Sequence, residues 1–239
     1  MGARLAAAPR RRRGAPSGPL HWLHASALQA TGSAGRAGRA GPALPTAETV
    51  AVLPFTARDL AESTAAVLLQ RAGAPLALLM VEDDVGAGPN AIWNALAGRL
   101  DATFMVYLAQ DVFPGRSWLA VAAATLQKQP QSGLFAFNDG KWFGELASFG
   151  MVRLDWLRGI YGGGLFFAGY RRHYGDTELT LVAAAQRALA YHPHALLVEV
   201  DHGKDARPVD PADRALFHER RRMGFDGRVS DAALLGKFG

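Results

Sequence analysis

Pro75-Leu76-Ala77-Leu78-Leu79-Met80-Val81-Glu82-Asp83-Asp84 is an apolar run that stops abruptly on three acids. A short run without polar alternation is what a strand covered on both faces requires, as in a parallel sheet. Thr49 to Phe55 has the same character, and between the two, Leu60, Thr64, Val67 and Leu68 share one face of a helix. Downstream, Gly88-Pro89 puts proline at the first position of a helix that runs through Trp93 to about Gly98. Ala102 to Ala109 reads as a third strand, Trp118 to Lys128 as a helix and Gly133 to Phe137 as a further strand. This β-α-β-α-β-α-β order predicts an α/β fold, a single domain with a mostly parallel central sheet flanked by helices.

The 239 residues carry 26 Lys plus Arg against 21 Asp plus Glu, a formal charge of +5. Residues 1–47 hold seven of the arginines and no acid, whereas the other 192 residues have 19 basic and 21 acidic groups and a net charge of −2. The excess therefore sits in an Ala/Gly/Pro/Arg-rich segment with too little apolar content to offset its ordering entropy. Residues 1–47 are expected to be a disordered basic tail and residues 48–239 the folded domain. The tail is either a bare extension, an organelle-targeting or export signal, or a peripheral contact to an anionic membrane. A weakly acidic body argues against nucleic acid as the partner. The absence of cysteine excludes a disulfide scaffold, a zinc ribbon and a cysteine nucleophile, and it accords with the cytoplasmic location expected of the chain.

In open α/β sheets ligands bind beyond the carboxyl ends of the strands. Each of the expected strands here runs out into polar residues: Pro54-Phe55-Thr56, then Glu82-Asp83-Asp84, then Gln110-Asp111, then Asn138-Asp139-Gly140. Acids and amides at one rim suit a metal or a hydroxyl-rich ligand. Gly86-Ala87-Gly88-Pro89-Asn90-Ala91 also satisfies the glycine pattern of a Rossmann-type dinucleotide-binding oxidoreductase, with Asp111 about 20 residues on. Against that reading, Pro89 removes an amide where pyrophosphate should be received, and the three acids would repel it. No GxSxG and no HExxH occurs, so esterase and zincin chemistries have no anchor.

Tyr170-Arg171-Arg172-His173-Tyr174-Gly175-Asp176-Thr177-Glu178-Leu179 opens a helix, with Leu179, Val182, Ala185 and Leu189 at helical spacing. Asp176 is then either a helix N-cap or a fixed carboxylate acting as a general base beside His173 and Tyr174. Position alone leaves both open. Glu178, two residues on, is the alternative base. Leu196 to Val200 reads as a last strand ending at Asp201-His202, and Arg220-Arg221-Arg222 as a solvated helix face.

Taken in order, these pieces resemble the GT-A-fold nucleotide-diphospho-sugar transferases, a Rossmann-related group, and among them the family 2 glycosyltransferases. The carriers are Pro54-Phe55-Thr56, Asp83-Asp84, the Asn94 helix, Val106-Tyr107-Leu108-Ala109-Gln110-Asp111-Val112, Phe137-Asn138-Asp139-Gly140, Asp176-Thr177-Glu178 and His202. The resemblance implies a glycosyltransferase that moves a sugar from a nucleotide-diphospho-sugar to an acceptor hydroxyl with inversion. A non-catalytic nucleotide-sugar-binding protein on the same fold is the alternative. Pro54, Thr56, Asp83, Asp84, Asn94, Gln110 and Asp111 would hold the donor, Asp111 and His202 a manganese or magnesium ion, and Asp176 or Glu178 would serve as base. Asp139, Trp142 and His173 would face the acceptor. The family's strand-end motif has two acids; here Ala109-Gln110-Asp111 keeps one.

Overall fold

The computed structural model describes residues 20–29, 42–200 and 209–238. Its sheet is built from β1 (Leu20–His24), β2 (Thr49–Phe55), β3 (Ala77–Glu82), β4 (Phe104–Tyr107), β5 (Val112–Pro114), β6 (Leu134–Asn138), β7 (Gly150–Arg153) and β8 (Leu189–Glu199). The spatial order is β1-β3-β2-β4-β7-β6-β8-β5. β1, β3, β2 and β4 run parallel; β7 is antiparallel to both β4 and β6, and β6 and β8 are again parallel. The α/β class and the mostly parallel sheet are thus as the apolar runs predict.

The strands are sorted by the two-residue period of side-chain direction. From β2, Ala51, Leu53 and Phe55 enter one core, and Val50 and Val52 the other. Helices α2 (Arg58–Arg71) and α4 (Trp118–Lys128) close the first face through Ala61, Ala65, Leu68, Trp118 and Leu126. The second face is closed by α1 (Ala25–Gln29), α3 (Pro89–Ala97), α5 (Leu154–Arg158) and α6 (Gly175–Ala185). A third cluster joins α6 to α7 (Pro211–Arg222) and α8 (Gly224–Gly227) through Val182, Phe217 and Phe225, with the short α9 (Ala232–Gly236) packed beside it.

Three expectations are corrected. Residues 20–29 are not a disordered tail: β1 pairs with β3 from Leu20 opposite Leu78 to His24 opposite Glu82, and Ala25 and Leu28 are buried. Their apolar groups are diluted by the Gly, Pro and Arg around them, which hid a ten-residue element inside a 47-residue composition. Residues 1–19 and 30–41 lie outside the described residues. The last strand starts at Leu189 rather than Leu196; an irregularity separates its pairing with β6 at Tyr191 from that at Leu196, and Leu197 to Glu199 then pair antiparallel with β5. β7 gave no apolar signal because it is four residues long and opens on Gly150, where a Cβ would lie 2.4 Å from the Tyr107 hydroxyl.

Candidate active site

The carboxyl ends of β2, β3 and β4 open into a cleft of about 190 Å³ lined by Pro54, Phe55, Thr56, Asp83, Trp93 and the run Leu108 to Asp111. Five of the seven residues expected to hold the donor meet there: Pro54, Thr56, Asp83, Gln110 and Asp111. Parallel pairing explains this, because strands in register deliver the residues after their last hydrogen bonds to one rim. Gln110 ties the rim together, its Oε1 accepting from the backbone amides of Thr56 and Ala57 at 2.9 and 3.0 Å. The Thr64 hydroxyl donates to the Gln110 carbonyl at 2.7 Å. Asp111 is buried, and its carbonyl accepts the Val200 amide.

Asp83 bears on the dinucleotide reading. Its two oxygens accept the amides of Ala87 and Gly88 at 2.7 and 2.9 Å, the amides of the very turn that would have to receive a pyrophosphate. Gly88 sits at φ +83°, and a Cβ there would meet the Arg171 carbonyl at 3.3 Å. The glycines therefore serve a turn closed on its own carboxylate, and the oxidoreductase alternative loses its anchor.

Other candidates are placed elsewhere. Asp84 points to the sheet edge, where the Ser26 amide and hydroxyl donate to it at 2.9 and 2.5 Å. Asn94 Oδ1 accepts the Phe166 amide at 2.8 Å and tethers the loop before α6. Asp139, expected to face the acceptor, is buried and engages both oxygens internally: Oδ1 accepts the amides of Lys141 and Trp142, and Oδ2 accepts the Ser148 hydroxyl. It organises the loop that carries Trp142, whose half-buried ring meets Phe238 edge-on. His202 lies outside the described residues.

At the start of α6 the helix is preceded by Tyr174 in the left-handed region (φ +67°), so Asp176 lies inside the first turn and is not the N-cap. Its Oδ1 accepts the Thr177 amide at 2.8 Å. Burial raises its carboxyl pKa, against the lowering effect of Thr177 and of His173 nearby. A carboxylate destabilised in this way holds protons more firmly, which suits a base. Tyr107 connects it to the cleft: burial first and the Asp176 charge second push its phenol well up. Tyr107 also packs edge-on against Trp93, a cleft residue, at 5.8 Å. Neither Trp93 nor Tyr107 stands out as a site residue in the sequence, since single aromatics in apolar surroundings read as core.

Glu178 is corrected. It is fully buried; Arg220 Nε and Nη2 bind its two oxygens at 2.7 Å each, and the hydroxyls of Tyr161 and Tyr170 add a bond to each at 2.9 and 2.8 Å. No oxygen is left to take a substrate proton. Arg220 is likewise not a solvated residue but is buried, with its guanidinium 3.4 Å from the Phe167 ring centroid.

For a divalent metal the described donors are few. Asp83 and Gln110 commit oxygens to backbone amides, and among the described residues no group of three His, Asp or Glu is gathered. A hard cation such as manganese or magnesium takes about six ligands, several of them oxygens. The described residues do not by themselves fit that requirement.

No family model and no curated protein matches the sequence. Solved structures are similar. The S. aureus TarS 1–349 structure matches with a TM-score of 0.51 at 12% identity, over 75% of this chain and 65% of that one. TarS 1–349 in complex with UDP gives 0.54 at 14% identity, over 80% and 70%. A mannosyltransferase from Pyrobaculum calidifontis, in complex with GDP-Man and Mn2+, gives 0.47 at 14% identity, over 79% and 68%. The chain spans 39% of a longer TarS structure. The fold is that of the GT-A glycosyltransferases. Among the described residues no helix is long and apolar enough to cross a membrane.

Proposed function

We propose that the chain is a glycosyltransferase that moves a sugar from a nucleotide-diphospho-sugar to an acceptor hydroxyl, with inversion at the anomeric carbon. The observation that carries this reading is the convergence of Pro54, Thr56, Asp83, Gln110 and Asp111 on one cleft, with a carboxylate of raised pKa reached from it through Trp93 and Tyr107. The nucleoside lies between Pro54, Thr56 and Asp83, and the diphosphate extends toward Asp111. Asp176 takes the proton of the acceptor hydroxyl as that oxygen bonds to the anomeric carbon. The bond to the diphosphate breaks on the opposite face, and the diphosphate leaves with the electron pair. Trp142 and His173 stand on the acceptor side. The loop carrying Trp142 is tied to the helix of Asp176, because the Ala147 amide donates to Thr180 Oγ1, which donates to the Asp176 carbonyl.

A panel of uridine and guanosine diphospho-sugars, screened by thermal shift on the full chain, tests the reading, since a ligand bound only by the folded state raises its apparent stability. One donor should raise the melting temperature and be consumed with an acceptor present. A donor that binds without turnover would favour the non-catalytic alternative, and no shift with any donor would remove the reading.

A further inference from the structure

α7 carries Asp213, Phe217 and Arg220 at i, i+4 and i+7, which places them on one helical face. All three are buried, and all three touch the segment around Asp176. The Asp213 carboxylate accepts the backbone amides of Arg171, Arg172 and His173 at 2.8 to 2.9 Å. The Phe217 ring stacks on Tyr174, 4.5 Å between centroids at 15°. Arg220 grips Glu178 through a two-bond fork. The contacts fall before Asp176 (residues 171–174) and after it (residue 178), so the carboxylate lies in the gap between the grips of a single rigid element.

The grip is itself held. Arg220 also binds Asp226 at 3.2 and 3.1 Å, and Arg228 binds Asp226 at 2.9 Å and the Ile160 carbonyl at 2.8 Å. Phe225 and Asp226 occupy the left-handed region (φ +52° and +61°), a strained backbone that persists only where surrounding contacts over-determine it. A buried ion pair is seldom the most stable filling of a core, since apolar residues of similar volume often do as well. What a fork supplies in addition is direction: a guanidinium bound at both nitrogens fixes the plane of its carboxylate.

We propose that α7 is the positioning element for Asp176, its Asp213–Phe217–Arg220 face fixing the backbone on both sides of that carboxylate so that it stays half-buried and aimed. The role of Asp176 as base rests on the proposed function; the positioning does not need it. Among the described residues, the titratable groups that act on Asp176 are His173 from the preceding loop and Tyr107 from β4, and both stay intact when α7 is altered at Phe217 or Arg220.

The test uses the full chain with 13C-labelled aspartate, Asp176 being assigned by the signal lost in Asp176→Asn. Arg220→Lys keeps the charge and removes the fork. Its Asp176 titration midpoint should fall by about one pH unit, tenfold in proton affinity, as the loosened carboxylate gains water. Phe217→Leu, which keeps an apolar core, should move it the same way and serves if Arg220→Lys does not fold. A folded variant that melts earlier but titrates at the native midpoint would reduce α7 to a purely stabilising helix and overturn the proposal. Where transfer is measurable, kcat should fall in these variants with the donor KM unchanged. If the midpoint shifts and no donor is ever turned over, positioning stands and the transferase reading fails.

Discussion

Asp84 and Ser26, 58 residues apart in the chain, are joined twice: the Ser26 amide and hydroxyl both donate to the Asp84 carboxylate, at 2.9 and 2.5 Å. These bonds, helped by His24, hold the Asp84 carboxyl below the ordinary range. The same segment sets Trp22 edge-on to Phe55 at 5.8 Å, and Phe55 lines the cleft. Composition alone would let a chain starting near Thr46 behave like the full one; the pairing of β1 with β3 reverses that expectation. Loss of the buried Leu28 side chain alone costs about 2 kcal/mol. For a chain of this size that lowers the melting temperature by about 4–8 °C. The shortened chain should melt earlier and bind uridine diphosphate more weakly. Calorimetric melts and titrations of the two chains that coincide would show β1 to be dispensable.

Asp176→Asn should abolish transfer while sparing nucleotide binding, with kcat down by about 10²–10⁴, the usual worth of a positioned base. The same change should raise the melting temperature at neutral pH. The sign comes from linkage: the folded-state pKa is raised, so between the unfolded and folded values the folded chain holds the extra proton. Stability is therefore lost as pH rises through that window, and above it the buried negative charge is a net cost that asparagine removes. The acid limb of the kcat profile should lie above the ordinary aspartate range for the same reason. A variant that keeps its turnover would move the proton to another group.

The sheet was legible because buried parallel strands write themselves as unbroken apolar runs, and Leu76 to Val81 could hardly be anything else. The rim comes with it: once β2, β3 and β4 are parallel, Thr56, Asp83 and Gln110 have to meet. Which way a polar side chain turns at that rim could not be read. Asp83 and Asp84 are adjacent in sequence, yet one closes the Ala87-Gly88 turn and the other reaches Ser26. Glu178 and Asp176 share a helical turn, and what tells them apart is Arg220, 42 residues later, together with the hydroxyls of Tyr161 and Tyr170. That partner was hidden in a run of three arginines of which Arg221 is half-buried over the Phe217 ring and only Arg222 is exposed. Non-local pairing of charged groups leaves no periodic trace.

Gln110 tests what the missing second acid does. Its Oε1 accepts two backbone amides at an exposed turn, so Gln110→Ala, which hands those amides to water, should cost about 0.5–1.5 kcal/mol. Gln110→Glu keeps the acceptor and should melt near the native temperature. By placing a second carboxylate beside Asp111, it should also bind Mn2+ more tightly than the native chain by isothermal titration. Equal Mn2+ affinity in the two chains would mean that the side chain at 110 stays turned toward Thr56 and Ala57 whatever its charge.

Glu178 separates a structural acid from a chemical one. Burial alone would lower the Arg220 pKa, but the hydrogen bonds it donates to Glu178 and Asp226, with their negative charges, reverse this and hold the guanidinium charged. Removing Glu178 leaves that charge buried with Asp226 alone and leaves the hydroxyls of Tyr161 and Tyr170 without their acceptor. Glu178→Ala should therefore lose about 3–5 kcal/mol in urea unfolding, the scale for breaking a buried pair by deleting one partner. An exposed catalytic acid would behave in the opposite way, with activity gone and the unfolding midpoint kept. Measuring the unfolding midpoints of Glu178→Ala and Asp176→Asn side by side decides between the two carboxylates. The first should fall and the second rise, because one carboxylate is saturated by four donors while the other is kept half-buried and raised in pKa.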